Sequence, residues 1–373
     1  MKILFICGSL EHGKDGVGDY TRRLAAQIIS LGHSARIIAF NDPHVSEVLE
    51  EEQLDGSHIP VIRIPSKTNT EMKTKISKEF IDIFDPQWVS LQFVPFAFHD
   101  KGLPFFLAKQ LKSIAVDRKW QIMFHELWVG MSTESKLKES LWGMTQRYLI
   151  KHLITVLKPA VIHTQSQLYK RELERLSFIP SLLPIFSNIE VIDTKIILDK
   201  INTSGTNDHV IDLAIFGGIH HGAPLNQFAE EVKDYQAANE VCVNLIILGR
   251  PGKEQEHWVN AWESRGLKVS QSGELSPGLL SEALSKVKYG LFTTPLALVE
   301  KSGSVAAMRE HGIHLLCVAR DWIPVHSPAS SNPFKIKQYE PGNLQEFFNS
   351  IPDFSYAPNL SSIANQFINN LSK

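Results

Sequence analysis

At 373 residues the chain exceeds one typical core, so two domains are the expected organisation. A net charge of -2, from 38 basic and 40 acidic side chains, gives no reason to expect a nucleic-acid partner. The three cysteines, Cys7, Cys242 and Cys317, lie far apart in apolar strand-like runs; they read as reduced core thiols and exclude a Cys/His zinc site.

The elements alternate along the chain. Lys2–Cys7 predicts a first strand, then a glycine-bearing loop running from Gly8, then a helix over Asp19–Leu31 closed by Gly32. Strands are expected at Ala35–Phe40, Val61–Ile64, Trp88–Phe93, Gln121–Phe124 and Ala160–His163. Helices are expected at Leu103–Lys112, Glu134–Leu157 and Ser166–Leu176. Turn-rich composition at 180–184 and 202–208 brackets a domain boundary. A second alternation follows, with strands at Ile211–Phe216, Val243–Leu248, Lys268–Ser270, Tyr289–Thr293 and His314–Val318. Its helices are Leu225–Tyr235, Glu254–Arg265, Pro277–Ser285 and Ser304–His311, and Leu360–Leu371 is a final amphipathic helix. This pattern predicts two Rossmann-like, doubly wound α/β domains facing a central cleft. The expected division is 1–184, a linker 185–209, 210–354, and a C-terminal helix in 355–373 packing back on the first domain.

No apolar run reaches the roughly 18 residues of a membrane span, and Lys2–Cys7 is only a strand's length, so a cytoplasmic protein is expected. Trp142–Ile154 mixes aromatic, aliphatic and basic residues at helical spacing. It reads first as core packing, and it also fits a peripheral contact with a membrane surface.

The segment from Lys301 to Gly312 carries the most chemistry. A buried strand leads into Lys301-Ser302-Gly303-Ser304 and then a helix. Free backbone N–H groups and the positive end of a helix dipole are what a phosphate needs, and Lys301 adds a point charge. Gly16, in the first glycine-bearing loop, would let backbone approach a phosphate too. Two such loops in two halves predict a phosphate-bearing ligand in a cleft between domains.

The chain resembles two-domain GT-B glycosyltransferases, most closely the family-4 group. The resemblance runs nearly the whole length. Gly16-Val-Gly18-Asp19-Tyr20 looks like the group's N-terminal glycine loop, and Phe124-His125-Glu126 like its histidine after a central strand. Ile185–Asn188 stands at its linker turn, and Phe216-Gly217-Gly218 and Leu248-Gly249-Arg250 at two strand ends. Gly273–Ser276, with Glu274, matches its base-binding loop, and Glu300–Gly312 its phosphate- and sugar-binding segment. Two features differ. The second of the family's paired glutamates falls on Ala307 or Met308, and its Arg/Lys pair is replaced by His220 and His221.

The resemblance implies a hexosyltransferase-type enzyme that moves a sugar from a nucleotide-diphosphate donor, with retention. The acceptor class is left open: a saccharide, a lipid-linked glycan or a small molecule. No cofactor beyond the donor is implied and, with no Asp-x-Asp present, no metal. The expected donor-binding set is Gly16, Gly18, Gly218, His220, His221, Arg250, Glu274, Glu300, Lys301, Ser302, Gly303 and Ser304. His125 either binds the sugar or handles a proton near neutral pH, or is a satisfied polar group at the sheet edge. Glu126 orients it or caps the next element. Asp19 caps the first helix or acts on the acceptor. His99 and the aromatic run before it either line an acceptor pocket or pack a loop, and Trp128 either stacks on a sugar or is buried. Two alternatives stand beside a transferase: a sugar-nucleotide epimerase or hydrolase on the same fold, and a degenerate nucleotide-sugar-binding protein.

Overall fold

The computed structural model describes residues 1–192, 209–326, 332–355 and 358–373; the expected turn at 202–208 lies outside them. The chain forms two compact α/β units. The first comprises Met1–Asn188 with Ile323–Pro328 and Leu360–Lys373, and the second Ile189–Trp322 with Ala329–Asn359.

The first unit is built on an eight-stranded sheet in the order β3-β4-β2-β1-β5-β6-β7-β8. Its strands are β1 (Lys2–Cys7), β2 (Ser34–Asp42), β3 (Leu49–Leu54), β4 (His58–Pro65), β5 (Trp88–Phe93), β6 (Lys119–Phe124), β7 (Val161–Thr164) and β8 (Ser181–Leu182). All neighbours are parallel except β3 and β4. Every residue of β5 is buried, as expected of a parallel strand covered on both faces. The covering helices are α1 (Gly16–Ser30), α2 (Thr70–Phe84), the single turn α3 (Pro95–Phe98), α4 (Leu107–Ile114), α5 (Leu137–Leu157) and α6 (Gln167–Glu174).

Two of these elements escape the periodicity argument. The edge strand β3 is Leu-Glu-Glu-Glu-Gln-Leu, with no apolar alternation; it exists through its antiparallel pairing with β4. The inward side of α2 includes Lys73 and Ser77 beside Phe80, Ile81 and Phe84, which blurs its stripe. Helix starts also differ. The first helix begins at Gly16, with Asp15 accepting from Val17 N at its cap, so Asp19 is not the cap and Gly16 and Gly18 are helical. The expected Leu103 start moves to Leu107, because Pro104 and the residues after it form a separate turn.

Helix α5 packs Gly143, Gln146, Leu149, Ile150, Leu153 and Ile154 inward, and leaves Leu137, Leu141, Met144 and Tyr148 exposed. Among the described residues no helix is long and apolar enough to cross a membrane.

The second unit has a parallel six-stranded sheet, β11-β10-β9-β12-β13-β14. Its strands are β9 (Val210–Phe216), β10 (Cys242–Leu248), β11 (Lys268–Gly273), β12 (Tyr289–Phe292), β13 (His314–Cys317) and β14 (Lys337–Gln338). Its helices are α7 (Leu225–Asn239), α8 (Lys253–Glu263), α9 (Pro277–Lys286), α10 (Gly303–Glu310) and α11 (Leu344–Asn349). Helix α12 (Leu360–Leu371) belongs to the first unit: it buries Ile363, Ala364, Phe367 and Leu371, and the Phe367 ring stacks on Phe5 of β1 at 5.8 Å.

Candidate functional site

In each sheet the strand order reverses beside the first strand of the unit. An open α/β sheet opens a crevice there, beyond the carboxyl ends of the strands.

In the second unit the reversal lies between β9 and β12. The chain leaves β9 through Gly217 at φ +88°, a conformation that favours glycine. A methyl group added at Gly217 would stand 3.0 Å from the Ser304 Cβ, so the β9 turn and the α10 start are in close contact. Ser302 caps α10 by accepting from Val305 N at 3.4 Å, and its hydroxyl lies 3.1 Å from that of Ser304. Side chains at Gly218 or Gly303 would meet nothing within 4 Å, so both glycines border open space. Backbone donors, hydroxyls and a helix N-terminus thus meet around that space, the arrangement an anion favours.

Cations surround the same turn. His220 donates its backbone N–H to Thr293 Oγ1 at 2.7 Å, just past β12. Desolvation, Lys301 and Arg320 together lower the His220 pKa from its ordinary value, so the imidazole is neutral at pH 7. The positive charge therefore resides on Lys301 and Arg320. Arg320, three residues past the end of β13, escaped the motif comparison; a basic residue just beyond a buried parallel strand is the signal that marks it. Its stem runs past Gly222, where a Cβ would lie 2.9 Å from Arg320 Cδ. His221 is exposed and faces Glu254 at 3.3 Å. Arg250 and Glu274 make a paired contact of 2.9 and 2.7 Å with each other. Glu300 is 7% exposed, whereas Ala307 and Met308 are core residues, so the positions aligned with the second glutamate face the apolar interior.

In the first unit the reversal lies at β1, flanked by β2 and β5. His125 follows β6 and is 6% exposed. Its Nε2 meets Gln92 Oε1 at 2.9 Å, and Gln92 Nε2 in turn donates to Ser90 Oγ at 2.7 Å. That order fixes the Gln92 amide and places the imidazole proton on Nε2, leaving Nδ1 as an acceptor. Ser90 Oγ donates to Gln121 Oε1 at 2.5 Å, and the His163 ring is flanked by Gln121 Nε2, 3.1 Å from Nδ1, and by Asn370 Nδ2 of α12, 2.9 Å from Nε2. Burial lowers the His125 pKa to about 3. It is therefore a neutral hydrogen-bonding group across the physiological range, with no ionisation near pH 7.

Two residues in contact with His125 carry buried polar atoms without a partner among the described residues. The Tyr20 ring meets the imidazole edge-on at 4.9 Å and stacks on Phe186 at 4.5 Å, while its hydroxyl is buried without a partner. Gln165 donates to His125 O at 2.7 Å and Asn188 to Gly16 O at 3.0 Å; their Oε1 and Oδ1 are also buried and unpartnered among the described residues. Buried polar atoms are rarely left unpaired, and the Tyr20 hydroxyl and Gln165 Oε1, both on residues that contact His125, fit the polar edge of a ligand. Tyr20, Gln165 and Gln92 were not legible as site residues, since nothing local ties them to His125.

The remaining first-unit candidates have local partners. Asp19 accepts from Arg22 at 2.8 Å and from Gly13 N at 3.2 Å. Glu126 is half-buried after His125, and Trp128 carries the Arg147 guanidinium 5.6 Å from its ring. The two helical glycines differ. At Gly16 an added methyl meets nothing within 4 Å; at Gly18 it would lie 2.5 Å from Ser9 O. Gly18→Ala is expected to lower stability by about 1–3 kcal/mol, because a backbone oxygen cannot give way. Gly16→Ala should leave stability within about 1 kcal/mol of wild type. Urea midpoints of the two variants check this; equal midpoints would refute it.

Among the described residues no group of three or more His, Cys, Asp or Glu side chains is disposed to hold a metal. No family model and no curated protein matches the chain. Solved structures match over its full length. HepE of Anabaena, solved with UDP and glucose, is 14% identical, with a TM-score of 0.61 over 100% of this chain and 99% of that one. Trehalose-6-phosphate synthase of Burkholderia multivorans is 9% identical, with a TM-score of 0.59 over 100% and 96%. The UDP-GlcNAc 2-epimerase of Neisseria meningitidis, bound to UDP-GlcNAc, is 10% identical, with a TM-score of 0.56 over 100% of both chains. The fold is thus the GT-B fold, common to glycosyltransferases and these epimerases.

Proposed function

We propose that the protein is a glycosyltransferase taking a sugar from a nucleoside-diphosphate donor, of the hexosyltransferase type, with retention and without a metal. In the reaction the anomeric C–O bond to the diphosphate breaks and a bond to an acceptor oxygen forms. The acceptor's proton and the nucleoside diphosphate are released. The observation that carries this reading is the convergence of Gly217, the capped start of α10, Lys301 and Arg320 at the strand-order reversal of the second unit. Such a set stabilises a departing diphosphate by fixed dipoles and positive charge. In the first unit, neutral His125 with Nδ1 as its acceptor atom, and the Tyr20 hydroxyl and Gln165 Oε1 on residues that contact it, fit the hydroxyls of a sugar. The similar proteins solved with UDP, glucose or UDP-GlcNAc support a nucleotide sugar as ligand.

A ligand that binds only the folded form stabilises it by about 2.7 kcal/mol at a hundred times its Kd. Millimolar UDP or GDP should therefore raise the melting temperature by about 5–10 °C. Lys301→Ala and Arg320→Ala should each weaken nucleotide binding about ten- to a hundredfold, the usual worth of a charge-assisted hydrogen bond. EDTA should leave binding unchanged. No shift with any nucleoside diphosphate, in a folded sample, overturns the proposal. Product analysis separates the readings on this fold: a free sugar or a donor epimer, formed without dependence on acceptor, would favour a hydrolase or an epimerase.

A further inference from the structure

The first unit holds a cavity of about 270 Å³ apart from the His125 group. It opens at the carboxyl ends of β2, β4 and β5, the edge where this fold class presents its ligands. Phe40, Phe98 and the exposed rings of Phe105 and Phe106 supply apolar wall, and Asn41 and Gln110 supply polar groups. Aromatic walls with a few polar groups are the usual lining of a small-molecule site, and this volume lies just below the roughly 300–1,000 Å³ range of such sites. It suits a single monosaccharide better than a longer chain.

Lys73 decides the chemistry. It lines the cavity from the first turn of α2 and is only 7% exposed. Its ammonium donates to Asn41 Oδ1 at 2.8 Å and Ser66 O at 3.2 Å, and lies 5.8 Å from the Phe40 ring centroid. Both acceptors are neutral, and no carboxylate among the described residues pairs with it. An ammonium has three N–H donors, so one remains for a ligand. A buried charge without a counter-charge is costly, and proteins ordinarily pair it. Elsewhere in this unit they do: buried Arg63 meets Asp42 at 2.8 Å and Glu11 at 2.7 Å. The unpaired ammonium is lowered in pKa by desolvation, the direction an incoming anion would reverse. His99 adds a second lining donor: its Nδ1 accepts from Lys101 N at 3.1 Å, which puts the ring proton on Nε2.

We infer that this cavity binds an anionic monosaccharide, a sugar ring bearing a carboxylate or a phosphate, with Lys73 as the counter-charge and the aromatic wall against the ring. As the acceptor of a transfer reaction this ligand rests on the function proposed above; as a bound ligand it does not.

The test is calorimetric titration of the full chain with glucuronate and glucose 6-phosphate, against glucose and inorganic phosphate. One or both anionic sugars should bind at least tenfold more tightly than glucose and than phosphate. Lys73→Met, which keeps the buried stem and removes the charge, should fold normally and weaken that binding about ten- to a hundredfold. Lys73→Arg should retain most of it. UDP affinity should be the same in all three proteins, so failure here is distinguishable from failure of the donor site. Equal binding by wild type and Lys73→Met, equal binding of glucose, inorganic phosphate binding as tightly as the sugar anions, or no binding of any of the four would each overturn the inference.

Discussion

His125→Ala is expected to lower sugar transfer by a factor on the order of a hundred or more, with nucleotide affinity unchanged. Loss of one well-placed group is enough for an effect of that size when the reacting atoms must be held within an ångström. Gln92 and the edge of Tyr20 fix the imidazole in one orientation, so the side chain is preorganised before any ligand arrives. Nucleotide affinity should survive because the candidate diphosphate groups, Lys301, Arg320 and the start of α10, all belong to the second unit. The pH profile adds a second reading. With a pKa near 3, His125 contributes no limb to turnover between pH 5 and 8. Gln92→Leu, which frees the ring without removing it, should fall between wild type and His125→Ala. Wild-type turnover in the alanine variant would reduce His125 to a structural group.

The second large effect is acid sensitivity. Burial lowers His125 to about 3, and His163 and His314 to about 4, against an unfolded value near 6.5. A depressed folded pKa means that the unfolded chain binds more protons between these values. Stability from this source is therefore complete above about pH 6.5 and is lost as pH falls toward 4 and below. Each histidine contributes a slope of up to about 1.4 kcal/mol per pH unit in that window. The first unit carries two of the three groups and the second carries His314, so their transitions should separate as pH falls if they unfold independently. Urea midpoints at pH 7.5, 6 and 5 measure this. His314→Gln should remove one proton's slope from the second transition, whatever its effect on the midpoint at pH 7.5. Stability that stays flat from pH 7.5 to 5 would refute the burial argument.

Local pattern carried much of the architecture. Strand β5 and helix α12 occupy the residues that alternation and helical spacing mark, because their apolar positions answer to one local period. His125 and the 301–304 turn were legible because each stands where a buried strand ends, and strand ends are where a doubly wound sheet presents polar groups. The start of α1 was legible only in part. Asp15 and Asp19 are both competent caps, and the choice between them follows from Ser9, which bonds Asp15, and Arg22, which draws Asp19 away.

The amino-acid sequence by itself determined the two α/β alternations, the strand-end position of His125 and the serine- and glycine-rich start of α10, since each depends on residues within a few positions of one another. Only the tertiary structure decided which distant groups meet. Gln92 reaches His125 from a neighbouring strand, and Arg320 comes within electrostatic range of His220 across the end of the second sheet. Lys73, one lysine among several on a helix with a blurred stripe, becomes a buried cation because α2 turns that face onto β2. Burial, tautomer and unpaired charge come from packing between parts of the chain tens to hundreds of residues apart. Periodicity records which face turns inward and carries no term for what it meets there.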